Sequence, residues 1–569
     1  MTDGPLDAAI AERLATWEQE RVADRLWARD GSLWAESGTP PETLSGWLGW
    51  LDLPGAMRER VPELEHLARD VRTDSYTRAA VLGMGGSSLA PEVFSRTFGA
   101  SGATRDGLEL RILDSTHPDA VRGFREWAQS ARTVFCVSSK SGSTTEPNAF
   151  HAAMADVAPA LDFIAITDPG SSLAELARAQ EFRAIVEGPP DVGGRYSAVS
   201  VFGLLPAALV GVDLAALLDR AESMAEACRR PAPSNPGLRL GAAIGEAALA
   251  GRDKLTILTS RRLASFGDWA EQLIAESTGK AGRGIVPVVG EPIGDAERYG
   301  GDRCFVVVTL DEASAPDLAE LSELAELASS LEGLGHPVIR IGLSDLHELG
   351  AEFLRWEVAT AAAGMVLGID PFDQPNVQES KDATRALLEA FRGQGSLPVP
   401  APIVAEAGLS ATADEAVLGD APVTVDGALR ALLGGIGPGD YFAVLAYLPQ
   451  DPDAVAALER VRVLVRDGLG NATTGGFGPR FLHSTGQLHK GGPPSGVFLQ
   501  LTAEANRDLP IPGWRESFGT LIAAQALGDL RSLQARDRRV LRLHGDDAAT
   551  VLQRVEAVTA DALGVTVGT

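Results

Sequence analysis

The sequence predicts an α/β protein with two doubly wound parallel-sheet domains, a helical N-terminal segment and a smaller C-terminal α/β domain. Three observations predict it. Short apolar strands alternate with helical stretches from Arg78 to about Val212, the same rhythm returns from Lys254 to about Phe391, and two of the strands run into turns packed with Gly, Ser and Thr. Such alternation signals parallel sheets with helices on both faces, which bind ligands at the carboxyl ends of their strands. A chain of 569 residues is also too long for one hydrophobic core.

Residues 1–75 read as helical. Ala8 to Leu26 carries apolar positions at helical spacing, Pro40-Pro41 opens a second segment, and the clustered Trp27, Trp34, Trp47 and Trp50 are expected to pack a core. In residues 76–213 the strands are AAVLGM, LELRILD, TVFCVSS and LDFIAITD. A helical connection fills 214–250, and 251–392 forms the second unit with strands LTILTS, CFVVVTL and PVIRIGL. Residues 393–569 start with a Pro- and Ala-rich linker, SLPVPAPIVAEAG, followed by a third α/β piece built on DYFAVLAYLP, GVFLQLT and RVLRLHG. Its long loop Gly475 to Gly496 is too rich in Gly and polar groups to be core.

Composition excludes several classes. The net charge of −27 makes long-range attraction to nucleic acid or anionic membrane unfavourable. No apolar run is long enough to span a bilayer and no basic start precedes an apolar signal segment, so a cytoplasmic location is expected. Cys136, Cys228 and Cys304 are too few and too widely spaced for a disulfide framework or zinc site, and buried inert thiols are expected.

The two polar turns suit a phosphate. Gly86 and Ser87 lie in AAVLGMGGSSLAPEVF, and Ser139, Lys140, Ser141 and Thr144 lie in TVFCVSSKSGSTTEPN. Hydroxyls, a cation and the free N–H groups of a following helix can close together on one anionic ligand.

These segments resemble the sugar isomerase (SIS) fold. With FGDWAEQLIAESTGKAGRGIVP (Phe266 to Pro287) and GIDPFDQPNVQESK (Gly368 to Lys381), the chain is similar to the phosphoglucose isomerase (glucose-6-phosphate isomerase) family. The resemblance implies reversible aldose–ketose isomerisation of glucose 6-phosphate and fructose 6-phosphate through an enediolate, without metal or other cofactor. It assigns Glu276 of AESTGK as the base, Gln272 one helical turn before it as a substrate contact, and Arg195 of VGGRYSAVS as the stabiliser of the enediolate. Gln374 matches a substrate-contacting Gln and Lys381 a Lys implicated in ring opening; seven residues apart, both can face one cleft if the segment after Pro375 is helical. Gly86, Ser87, Ser139, Lys140, Ser141 and Thr144 carry over as the phosphate grip, and Glu146 is a candidate orienting acid. Gly193 and Gly194 are expected to turn the backbone so that Arg195 can enter the cleft.

The histidine departs from the family pattern. Between Glu276 and the FDQ stretch only His336 and His347 occur, both too late for a direct match, whereas RFLHSTGQLHK resembles the family's LHS-x-GQ segment displaced beyond Lys381. His483 is therefore the candidate ring opener and His489 the runner-up. This order is similar to that of the isomerase half in transaldolase/phosphoglucose isomerase fusions, although a transaldolase barrel needs about 200 residues of its own and the first SIS strand begins near Ala79. Alternatives are an isomerase that also accepts mannose 6-phosphate and a non-catalytic SIS sugar-phosphate sensor; the latter does not need Glu276, Arg195, Gln374 and Lys381 together. Partners beyond the sugar phosphate are limited to a possible homodimer.

Overall fold

Five parallel strands form the first sheet: β1 (Arg78–Gly83), β2 (Glu109–Leu113), β3 (Thr133–Ser138), β4 (Phe163–Thr167) and β5 (Ala184–Glu187), in the order β2-β1-β3-β4-β5. The computed structural model describes residues 4–99, 107–311 and 315–565. β3 and β4 are buried along their whole length, which is why they read as unbroken apolar runs rather than alternating ones. The chain leaves β1 to one side for β2 and returns on the other for β3. The register pairs Gly83 with Ser138, so the turns after β1 and β3 emerge side by side at this switch point.

The second sheet repeats the pattern with β6 (Lys254–Thr259), β7 (Val286–Val289), β8 (Arg303–Leu310) and β9 (Val338–Leu343), all parallel in the order β7-β6-β8-β9. The third contains β10 (Val404–Glu406), β11 (Leu409–Ala413), β12 (Tyr441–Tyr447), β13 (Ala472–Phe477), β14 (Gly496–Ala503) and β15 (Arg539–Gly545). It is mixed: β10, β11 and β15 pair antiparallel, while β15, β14, β12 and β13 run parallel. With six strands this sheet has more strands than the second. β10 falls inside the stretch expected as linker. β13 escapes sequence reading because it is an edge strand with Gly475 and Gly476 near its end.

The stretch Ala8 to Leu26, expected as one helix, falls in two, Gly4–Gln19 and Val22–Trp27; Arg21 between them has φ 54°, which ends the first. Trp34 and Trp50 are fully buried in the largest core, and Trp34 Nε1 donates to the Ala361 carbonyl at 2.8 Å, pinning this segment to the helix Leu349–Leu367. The connection forms helices Leu214–Ala227 and Pro236–Leu249. The latter meets Leu349–Leu367 so closely that a Cβ on Gly241 would lie 2.5 Å from the Ala359 carbonyl oxygen. All three cysteines are buried and free, and burial pushes the Cys136 and Cys304 thiols up to about 12. Among the described residues no helix is long and apolar enough to cross a membrane.

Candidate active site

A cleft of about 680 Å³ opens at the carboxyl ends of β1 and β3. After β1 the chain turns at Gly85, φ 56°, where a Cβ would stand 2.8 Å from Gln272 Nε2 and 3.2 Å from the His483 carbonyl oxygen. At Gly86 a Cβ would sit 1.9 Å from the Gly194 carbonyl oxygen. The missing side chains let three loops meet. The tight turn expected at Gly193 and Gly194 is not what glycine supplies, since Gly193 has an ordinary φ of −67° and Gly194 is not among the positive-φ residues; Gly86 gives the Arg195 loop its room. Gly86→Ala is expected to cost about 1–3 kcal/mol, read as a lower unfolding midpoint, and to weaken fructose 6-phosphate turnover by displacing Arg195.

The turn after β3 is organised by hydroxyls: Ser139 Oγ donates to Thr144 Oγ1 at 3.3 Å and Ser141 Oγ lies 3.0 Å from Ser143 Oγ. Thr144 occupies the N-cap position of the helix Thr145–Ala155 but makes no side-chain capping bond, so it does not consume the first-turn N–H groups. Ser87, Ser139, Ser141 and Thr144 all line the cleft. Lys140 also lines it, yet its ammonium is engaged: Nζ pairs with Asp168 at 2.5 Å and donates to the Pro189 and Pro190 carbonyls. It ties the β3 turn to the β4 end and to the approach to Arg195.

Arg195, 3% exposed, spreads its guanidinium across four acceptors. Nε donates to Ser277 Oγ at 2.7 Å, Nη1 to Gln374 Oε1 at 2.9 Å, and Nη2 to the Pro371 and Asp373 carbonyls at 2.6 and 3.0 Å. Nη1 also stands 3.6 Å from Glu276 Oε1. Tyr196 next to it stacks on Trp50, which anchors the turn in the core.

Gln272 and Glu276 lie one turn apart on the helix Ala264–Thr278, and i, i+4 spacing puts them on one face. Gln272 Nε2 donates to Glu276 Oε2 at 3.1 Å and to the His483 carbonyl at 2.8 Å, while its buried Oε1 makes no protein hydrogen bond. Lys280 and Arg283 close the following loop instead of holding Glu276. Lys280 pairs with Asp373 at 2.6 Å and donates to the Asp370 carbonyl, and Arg283 donates to the Leu367 carbonyl. Burial and the nearby Arg195 charge bring the Lys280 ammonium down to about 8, against the pull of Asp373.

Gln374 precedes the helix Pro375–Gln394, which carries Lys381 two turns on; Lys381 is exposed and lines the cleft. His483 reaches the same cleft from the loop after β13, its Nε2 3.1 Å from Glu146 Oε1. Burial acts to raise the Glu146 carboxyl, but the charge and hydrogen bond of His483 outweigh it and hold the group below the usual carboxylate range. His489 points elsewhere: both ring nitrogens are buried without a partner among Tyr441, Phe481 and Phe498, and burial drives its pKa well down. Arg480, three residues before His483, clamps the loop by bonding Glu92 and, at 3.0 Å, Asp114.

Two contributors carried no motif. Gln525 lies on the helix Phe518–Gln534 and donates to Glu146 Oε1 at 2.7 Å; Thr116 follows β2 and donates to Gln525 Oε1 at 2.6 Å. The only sequence signal was a lone Gln in the apolar stretch LIAAQAL.

No protein-family model matches the chain. It is 30% identical over 418 residues to the glucose-6-phosphate isomerase of Rubrobacter xylanophilus, a match covering 65% of this chain and 94% of that protein. It is 28% identical over 397 residues to the glucose-6-phosphate isomerase of Carboxydothermus hydrogenoformans, covering 60% and 85%. Among solved structures, a hypothetical protein of Thermus thermophilus superposes with a TM-score of 0.56 at 24% identity, covering 68% of this chain and 99% of that one. A glucose-6-phosphate isomerase of Chlamydia trachomatis gives 0.53 at 16% identity, covering 67% and 86%; these two superpositions speak for the fold alone. Since the Rubrobacter relative is matched over nearly its whole length, the chain belongs to the glucose-6-phosphate isomerase family.

Proposed function

We propose that the chain interconverts glucose 6-phosphate and fructose 6-phosphate through an enediolate, with Glu276 as the base. One observation carries the reading: Glu276, Arg195, the His483–Glu146 pair and both hydroxyl-rich turns share a single cleft. The phosphate binds at Gly86, Ser87, Ser139, Ser141 and Thr144 with the first-turn N–H groups of Thr145–Ala155, and Lys140 shapes that turn through Asp168. The phosphate grip supplies binding energy far from the reacting carbons. In ring opening, a proton leaves the anomeric hydroxyl, the bond from C1 to the ring oxygen breaks, and a proton reaches that oxygen; His483 and Lys381 are the exchanging groups. Glu276 then removes the C2 proton, the enediolate charge faces Arg195, a proton passes from the C2 hydroxyl to the C1 oxygen, and Glu276 returns its proton to C1 as the C2 carbonyl forms. Gln272 Oε1 and Gln374 present polar atoms to the sugar hydroxyls.

The test is conversion of fructose 6-phosphate to glucose 6-phosphate in the presence of EDTA. Robust turnover is expected, and sugar phosphate that binds without turning over would replace the isomerase by a sensor. A carboxylate base with an imidazole partner predicts a bell-shaped rate profile, so a flat one between about pH 5 and 9 would count against both assignments.

The motif order, with the His483 loop beyond Lys381, resembles isomerase halves fused to transaldolase, and we assign the chain to that arrangement, working in the cytoplasm. His483 and Glu146 come from the same chain, so each copy of a homodimer would hold its own complete site. Mixing inactive Glu276→Gln and His483→Ala chains is then expected to restore no activity; recovery would mean that the site is shared.

A further inference from the structure

We infer that Thr116 and Gln525 are positioning residues that decide which nitrogen of His483 meets the sugar: the proton sits on Nε2, toward Glu146, and Nδ1 exchanges the proton with substrate. This rests on the reading of His483 as a ring-opening group and adds to it the orientation and the residues that enforce it.

One buried line of hydrogen bonds joins these groups. Thr116 Oγ1 lies 2.6 Å from Gln525 Oε1, Gln525 Nε2 lies 2.7 Å from Glu146 Oε1, and the same Oε1 lies 3.1 Å from His483 Nε2. Thr116 is fully buried and Gln525 is 2% exposed, so no bulk water substitutes for a missing partner. An ionised carboxylate only accepts, which obliges Gln525 to present its NH₂ group to Glu146. The amide oxygen must then find a donor, and the Thr116 hydroxyl is there. Turning the amide over would set its carbonyl against the carboxylate at the same short distance and leave the NH₂ group facing a hydroxyl that would have to accept.

With Gln525 fixed, Glu146 Oε1 is a pure acceptor and His483 Nε2 must donate. With a neutral imidazole, the buried Glu146 carboxylate is held by its donors, Gln525 Nε2 at 2.7 Å and His483 Nε2 at 3.1 Å, with Lys381 adding a smaller attraction. Nδ1 makes no hydrogen bond to any described residue and is left for the sugar. With glucose 6-phosphate, Nδ1 takes the anomeric hydroxyl proton, the bond from C1 to the ring oxygen breaks as the C1 carbonyl forms, and the Lys381 ammonium gives its proton to the ring oxygen. The imidazolium produced faces the Glu146 carboxylate.

His483 and Gln525 both come from the C-terminal third of the chain, whereas Glu146 and Thr116 belong to the first sheet unit. The displaced histidine loop therefore arrives with a residue that orients its acid partner.

The proton position can be read without turnover, from ¹⁵N spectra of chain labelled in its eight histidines, with His483→Gln assigning the signal. The native chain is expected to show Nε2 protonated and Nδ1 bare. In Thr116→Val, a near-isosteric change, and in Gln525→Leu, the two tautomers should mix, and kcat for fructose 6-phosphate should fall about ten- to a hundredfold with KM within about threefold. Thr116→Ser, which keeps the hydroxyl, should restore both. A native spectrum with Nε2 bare would overturn the inference, as would an unchanged tautomer in a folded Thr116→Val chain. If the chain fails to isomerise fructose 6-phosphate, the function proposed above falls while the spectrum still decides the orientation.

Discussion

Glu276→Gln is expected to lower kcat for fructose 6-phosphate by about 10²–10⁴-fold, the usual contribution of a positioned general base. Glutamine fills the same space and its carbonyl can still accept from Gln272 Nε2, now 3.1 Å from Glu276 Oε2, so the helix face is preserved. Arg195 loses a carboxylate at 3.6 Å but keeps four other acceptors, and the unfolding midpoint should therefore change little. KM should stay within a few-fold, because the phosphate turns lie on other elements. A coupled assay of the two chains side by side checks this. If kcat is unchanged, the base is another group and the assignment of the cleft fails.

Arg195→Lys is expected to remove about 10²–10³-fold of kcat, the scale of one lost oxyanion donor, and to destabilise the fold as well. The guanidinium serves Ser277 Oγ, Gln374 Oε1 and the carbonyls of Pro371 and Asp373 while facing Glu276. An ammonium has three donors at a single point and cannot span that fan. Each buried acceptor left unpaired costs about 1–3 kcal/mol, so a clear drop in the denaturation midpoint should accompany the loss of turnover. The two variants thus separate the roles: Glu276→Gln fails in chemistry alone, Arg195→Lys in chemistry and stability together. Full activity in Arg195→Lys would mean that the enediolate charge is met elsewhere.

The strands that form the middle of each sheet were readable because they are buried on both faces and therefore apolar throughout. Short or marginal ones were not: β5 and β7 have four residues each and β10 three, too few for a period to register. A similar limit applies in the site. Gln272 and Glu276 share a helix face by spacing alone, and Gln374 with Lys381 lie two turns apart once the segment after Pro375 is helical. Two histidines six residues apart in one polar loop look equivalent in sequence, yet one faces Glu146 and the other is sealed among aromatic rings.

The repeated parallel-sheet rhythm, the two hydroxyl-rich turns that end β1 and β3, and the helix face carrying the carboxylate are all written in the order of residues, because each fits within a window of a few turns or strand residues. Three-dimensional packing was needed to show that Lys140 spends its charge on Asp168, that Gly86 rather than Gly193 or Gly194 makes room for Arg195, and that Thr116, Gln525, Glu146 and His483 form one line. Most of those contacts join residues far apart in the chain, up to hundreds of positions. Their partners are chosen by how three sheets and their helices pack, and no local pattern carries that information.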